Sequence, residues 1–184
     1  MEREEALRLL KENIKNQNLI KHCLSVEAIM RALASRFGED EEKWGLAGLL
    51  HDIDYEKTKN NPSEHSLQGA KMLEELGVDK EICQAVKVHN EIHGIPPKTL
   101  MEKALFVADP LSGLIVAATL VLPSKKIKEL TVQNVLNRFK EKSFARRVNR
   151  EIIKKCEEYL NLSLEEFIKI GLSAMQKIGE ELGL

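Results

Sequence analysis

Apolar residues recur at three- and four-residue spacing along nearly the whole chain, and no stretch shows the two-residue alternation of a strand. This pattern predicts an all-α fold. Helices are expected over 3–15, 19–37, 41–53, 64–76, 79–90, 99–122, 148–160 and 163–182. The breaks fall at Gly38, Asn60 to Ser63, Gly77, Gly94 to Pro97, Pro123-Ser124 and Asn161 to Ser163, all rich in residues that leave the helical region readily. Ser63 and Ser163, each with glutamate close behind, read as helix N-caps.

One segment, Ala104 to Leu122, is apolar on every side and nearly long enough to span a bilayer. It carries Asp109 and Pro110, which are costly at bilayer depth, so a buried central helix is the better reading and no membrane partner is expected. With 184 residues, 43% of them hydrophobic, the chain suits a single domain, 1–184. The first thirteen residues alternate charge with leucine and lack the apolar core of a secretory signal, so a cytoplasmic location is expected. Cys23, Cys83 and Cys156 are odd in number and widely spaced, which argues against a disulfide framework or a thiolate zinc site and for buried small hydrophobes.

The formal net charge is −1, so no global field draws the chain to nucleic acid or an anionic membrane. The exception is Lys125 to Lys155, with eleven Lys or Arg against three Glu. This stretch is either a solvated helical face or a surface that closes over a phosphate, with Arg146 and Arg147 as candidate substrate contacts. A nucleic-acid partner is not expected, because aromatics are not interleaved with the basic residues and Phe139 and Phe144 fit core positions.

The histidines carry the chemistry. His22 shares a helical stripe with Val26, Ile29, Leu33 and Phe37, and His51 follows Trp44, Ala47 and Gly48 on an inward face. Either histidine alone reads most simply as a hydrogen-bonded core residue. Asp52, beside His51, and Asp109, in the most apolar stretch, are carboxylates that would be costly to bury without a cation or a donor. Two inward imidazoles and two buried carboxylates relieve that cost together by sharing a divalent ion. His65 and His89 also sit on apolar helical faces, either as a helix N-cap and a helix C-terminal charge, or as ligands of a second ion bridged to the first by Asp52. The metal site thus falls within 19–122, and residues 125–184 form a C-terminal helical extension.

The order His22, then His51-Asp52, then Asp109, on a helical background, resembles the HD superfamily of metal-dependent phosphohydrolases. The added His65 and His89 resemble its two-metal members, and the likeness is nearest to predicted HD hydrolases without an assigned substrate. The resemblance implies phosphate ester or anhydride cleavage by metal-activated hydroxide on a small, nucleotide-like substrate, with one or two divalent ions per chain. Mixed nitrogen and oxygen ligation favours Mn, Fe, Co or Ni, with Mg or Zn also admissible. Asp52 and His93 are the catalytic candidates, His93 as proton donor or phosphate ligand; Asp54 and Glu91 are candidates for supporting the ligand imidazoles. Many relatives continue the doublet as Ile-Gly-Lys. Here it continues Ile53-Asp54-Tyr55-Glu56-Lys57, so Lys57 is the candidate for the phosphate-facing lysine. The glycine-tyrosine-proline motif of cyclic-dinucleotide phosphodiesterases is absent, and Pro110 predicts a kink or restart of the helix at Asp109. A regulatory module that binds metal and senses nucleotide without turnover stays open as the alternative, as does the oligomeric state.

Overall fold

The computed structural model describes residues 1–184 and contains helices and turns but no strand. Five helices of ten or more residues frame it: α1 (Arg3–Asn13), α2 (Gln17–Phe37), α3 (Glu41–Leu50) and, later in the chain, α7 (Leu100–Leu120) and α11 (Leu164–Lys177). Between α3 and α7 lie the short α4 (Tyr55–Thr58), α5 (Leu67–Glu75) and α6 (Lys80–Val88). After α7 come α8 (Val132–Lys140), α9 (Arg150–Lys154), α10 (Cys156–Leu160), α11 (Leu164–Lys177) and α12 (Gly179–Leu182). Short 3-10 turns occupy Glu91–His93 and Ile127–Glu129.

Polar side chains set the helix starts. Asn16, Asp40, Asp79, Thr99 and Ser163 each accept a hydrogen bond from a first-turn backbone N–H of the helix that follows. Gly38, in the left-handed region at φ 72°, ends α2. Apolar stripes from every long helix meet in one core that runs from Ala6 to Leu182, and no buried side-chain nitrogen or oxygen lacks a partner.

The structure departs from the sequence expectations at several element ends. The helix expected from 41 stops at Leu50, so His51 to Asp54 form a tight turn instead of a last helical turn. The helix expected from 64 begins at Leu67; its N-cap position is Ser66, and Ser63 caps nothing. The segments 148–160 and 163–182 each break into two helices, at Lys155 and at Ile178. α8 lies in the basic segment, where a helical face but no bounded helix was expected; it has a capping box from Thr131 and Asn134 and buries Val135 and Phe139. α7 runs through Pro110 without a restart, although proline has no N–H to offer the Phe106 carbonyl.

α7 is the one helix with the length and composition to cross a membrane. In this fold it packs against α2, α3, α6 and the helices of the C-terminal half. The three cysteines are buried and unpaired, as expected.

Candidate metal centre

The site forms where α2, α3 and α7 come closest. Gly48 makes the approach possible: a Cβ there would lie 2.9 Å from the backbone of Val26 and Glu27 on α2. The bare contact sets the end of α3 against the middle of α2, leaving the rings of His22 and His51 5.0 Å apart. Asp109 arrives from α7, His89 from the end of α6, and His65 from the turn before α5.

The four histidines share one arrangement. His51 Nδ1 donates to the Gly48 carbonyl at 2.8 Å, and His89 Nδ1 to the Val86 carbonyl at 2.6 Å. His65 Nδ1 donates to Asp54 Oδ1 at 2.9 Å. Ser112 Oγ gives its own proton to the Asp109 carbonyl and lies 3.1 Å from His22 Nδ1, whose N–H it accepts. Each Nδ1 is thus committed to an acceptor, so that a ring in its neutral form presents the Nε2 lone pair to a cation.

Those Nε2 atoms converge on two carboxylates. His22 Nε2 lies 3.2 Å from His51 Nε2, 3.1 Å from Asp109 Oδ1 and 3.7 Å from Asp52 Oδ2. The other Asp52 oxygen, Oδ1, lies 3.5 Å from His51 Nε2, 3.2 Å from His65 Nε2 and 3.5 Å from His89 Nε2. Ligands bonded to one ion at ~2.1 Å sit about 3 Å apart, so these spacings suit a cation placed among them. The ligand atoms of His22, His51 and Asp109 form one such group, and those of His51, Asp52 and His89 another. The donors present, imidazole nitrogen and carboxylate oxygen, fit a divalent transition metal. All six metal candidates read from the sequence are brought together, with Asp52 between the two sets.

The electrostatics have the same origin. Burial resists charge on His51 and pushes its pKa down to about 4, so the ring is neutral at pH 7. Burial also opposes ionisation of Asp52, but the surrounding imidazoles, with hydrogen bonds from His65 and His89, outweigh it and hold the carboxyl well below its usual range. Asp109 is lowered in the same way, chiefly by its hydrogen bond with His22. Burial works against protonated His65 too, yet its bonds to Asp52 and Asp54 carry its pKa up to about 10. His22 is raised because Asp109 and Asp52 overcome its burial.

Asp54 is the main support of this cluster. Its side chain is fully buried, and its Oδ2 accepts the backbone N–H groups of Ser66 and Gly69 at 2.8 Å each. A Cβ on Gly69 would lie 3.1 Å from the Asp54 carboxyl carbon, so glycine admits the carboxylate to the start of α5. Ser66 is held at φ 69°, an unfavourable left-handed backbone, while its hydroxyl donates to the Lys87 carbonyl.

The centre opens at His22 and Asp109, whose side chains are 25% and 31% exposed, into a cavity of about 300 Å³. Its walls include Asn90, Glu91, Phe106, Arg147 and Asn149. Of the residues expected to meet substrate, Arg147 lines this cavity, whereas Arg146 is exposed outside its lining. Lys57 is turned toward α1, its ammonium 2.7 Å from Asn13 Oδ1, because α4 carries it to the opposite side of the turn. His93 is also outside the lining: its Nε2 donates to the His65 carbonyl at 2.7 Å, which tethers the backbone at His65. Glu91 contacts no histidine; it accepts both hydrogen bonds from Asn149 Nδ2 across the cavity mouth. Sequence reasoning missed Ser112 and Asn90, which bond His22 and the His65 carbonyl. The three-residue step from Asp109 to Ser112 on one helix face was the available signal for the first; nothing marked the second.

Residues 19–114 match the HD domain, a span that holds all six convergent side chains. The chain belongs to the HD domain family. Over 140 residues it is 33% identical to ribonuclease Y of Nitratidesulfovibrio vulgaris, covering 74% of this chain and 27% of that protein. Ribonuclease Y of Oleidesulfovibrio alaskensis is 30% identical over the same coverage. An uncharacterized protein of Methanocaldococcus jannaschii is 37% identical over 130 residues, 60% of this chain and 75% of that one. The chain thus spans little more than a quarter of the ribonuclease Y relatives, and no solved structure matches it. Membership in the HD domain family and these relatives support a metal-binding hydrolase.

Proposed function

We propose that this HD domain is a phosphohydrolase that cleaves a phosphodiester of a small, nucleotide-like substrate with one or two divalent ions. The observation that carries the reading is the convergence of four Nε2 atoms on Asp52 and Asp109, each ring fixed by its Nδ1 bond. The diester class draws on the relatives named ribonuclease Y, and the small size on a cavity of about 300 Å³ with a single arginine in its wall. Bound divalent ions would supply Lewis acidity at phosphoryl oxygens and hydroxide at neutral pH.

The chain's own residues do the positioning. Asp52, with Oδ2 toward His22 and Oδ1 toward His51, His65 and His89, links the two halves of the centre. Asp109 and His22 stand at the opening, where a phosphoryl group first meets the ligand set. Arg147 places a permanent positive charge on the cavity wall to meet the phosphate. Asn90 and Asn149 shape the wall around it, their amides bonded to the His65 carbonyl and to the Glu91 carboxylate. A cytoplasmic setting, where thiols stay reduced, suits three free buried cysteines.

The test is elemental analysis of protein purified without chelating resin, followed by a release assay over nucleotides, dinucleotides and sugar phosphates. Mn, Fe, Co or Ni should be found at one or two per chain, with turnover of diesters. Asp52→Ala should remove metal and hydrolysis together while the helical circular dichroism survives. Hydrolysis that persists in Asp52→Ala would refute the proposed chemistry. Nucleotide binding without any product release would favour a sensing module instead.

A further inference from the structure

The metal centre has a second cavity on the other side of His22. It measures about 490 Å³, and His22 and Gly113 line both it and the cavity that contains Arg147. Its floor is apolar, from Val116, Ala117 and Leu120 of α7 and Leu182 of α12, and Lys21 and Asn18 of α2 stand among its walls. Lys21 has no carboxylate within ion-pair distance. Both cavities fall near the size of small-ligand sites, roughly 300–1,000 Å³. The first carries the arginine, while the second joins an apolar surface to the ammonium of Lys21, which stands beside Gly183 and makes no ion pair.

Gly113 marks the junction between them. Glycine inside a helix is less favourable than alanine. Elsewhere close packing explains glycine: a Cβ would come within 2.9 Å of its neighbours at Gly48, 2.8 Å at Gly171 and 2.7 Å at Gly179. At Gly113 a Cβ would meet only Val148 Cγ2, at 3.8 Å, which is ordinary contact. Packing therefore does not require glycine there. Its bareness instead keeps the ridge between the cavities low, beside the two ligands that face solvent.

We propose that the α2/α7/α12 cavity is a second substrate subsite, holding the nucleoside on one side of a scissile diester while the Arg147 cavity holds the other. The inference rests on the phosphodiesterase reading above and deepens it. A phosphodiester carries two organic substituents on one phosphorus, so a centre that cleaves it needs room in two directions, and a monoester needs one. The apolar floor suits a base face, and Lys21 suits a phosphate flanking that nucleoside.

The test compares wild type with Ala117→Trp, which fills the cavity, Gly113→Leu, which raises the ridge, and Lys21→Glu, which reverses the charge without adding bulk to the core. Probes are the dinucleotide pApA and adenosine 5′-monophosphate, with metal per chain measured on each protein. Ala117→Trp should raise KM for pApA at least tenfold, with a smaller change in kcat and less than a threefold change in KM for the monoester, whereas Gly113→Leu, on the wall of both cavities, should raise KM for both probes and more for pApA. Lys21→Glu should raise KM for pApA in the same selective way. Calorimetric titration with the bridging phosphorothioate analogue of pApA should show the same loss of affinity, and it reads the subsite even if no probe is hydrolysed. Absence of all turnover with selective loss of analogue binding would refute the hydrolase and keep the subsite. An unchanged KM for pApA and unchanged analogue affinity in Ala117→Trp and Lys21→Glu, or equal shifts for monoester and diester, would overturn the proposal.

Discussion

The Asp54 carboxylate is tied by one oxygen to His65 Nδ1 and by the other to the backbone N–H groups of Ser66 and Gly69, so the same buried charge orients the ring of a candidate ligand and caps α5. Ligand geometry and helix start are therefore coupled through one side chain. It follows that disturbing Asp54 should affect metal and stability together, whereas removing His65 itself should spare the cap.

Asp54→Asn is the sharp test of this coupling. The amide keeps one oxygen acceptor but sets its NH2 either against His65 Nδ1–H or against the N–H groups of Ser66 and Gly69, and hydrogen bonds to a charged group are each worth about 1.5–3 kcal/mol. The variant should melt several degrees lower and bind less metal at the His65 side of the centre. His65→Ala should lose metal with a smaller shift in melting temperature. Equal melting temperatures for Asp54→Asn and wild type in the metal-free state would contradict the coupling.

The metal-free centre should also store protons. His65, with a pKa of about 10, is protonated at pH 7, and His22 is raised in the same direction, whereas His51 at about 4 is already neutral. Metal binding requires neutral imidazoles, so it should expel at least the His65 proton, and affinity should rise with pH between neutral and about 10. Calorimetry in buffers of different ionisation enthalpy measures the proton count; a value near zero at pH 7 would contradict the assignment. For the metal-free fold the signs differ between residues. The raised pKa of His65 contributes stability that is fully present below its ordinary value, ~6.5, and is lost as pH rises through about 10. The lowered pKa of His51 does the opposite: its penalty grows as pH falls from ~6.5 toward about 4.

Gly48 controls the distance between α2 and α3. A Cβ 2.9 Å from the α2 backbone cannot be absorbed by a side-chain rotation, so Gly48→Ala should push the end of α3 outward. Overpacking of this kind costs about 1–3 kcal/mol. Because His51 lies three residues beyond and binds the Gly48 carbonyl, metal affinity should fall with stability. Gly113→Ala, where the new Cβ has 3.8 Å of room, is the control and should melt at or above the wild-type temperature.

The helical fold and the convergence of six side chains were legible because both rest on long-range regularity: apolar stripes fix which face turns inward, and a polar residue on such a face must find a partner. What escaped depended on local backbone detail. The turn at His51 to Asp54 and the late start of α5 follow from Asp54 reaching over Gly69, a contact that spans fifteen residues and leaves no periodic trace. α8 holds only two basic residues, Arg138 and Lys140, and its apolar stripe of Val132, Val135, Leu136 and Phe139 is obscured by its shortness and by the basic residues that flank it. Lys57 and His93 were placed by their order in the chain, but side-chain direction is set by α4 and by the 3-10 turn, which aim them at Asn13 and at the His65 carbonyl. The basic segment itself is held by Arg150, whose guanidinium binds the carbonyls of Phe139, Glu141 and Phe144.

The number of ions is decided by His65 and His89. Their Nε2 atoms address Asp52 Oδ1, while His22 addresses Oδ2 and Asp109, so each half of the centre has its own donors around a shared carboxylate. If two ions bind, the His65 and His89 side has fewer donors of its own and should lose its ion first on dilution or mild chelation. Replacing both histidines by alanine should then halve the metal content and cut turnover, while the ion held by His22, His51, Asp52 and Asp109 stays. If instead the pair serves only the fold, the double variant should melt lower with unchanged metal content. Elemental analysis of wild type and variant separates these outcomes: one ion per chain in both would rule out a binuclear centre and weaken the case for diester over monoester substrates.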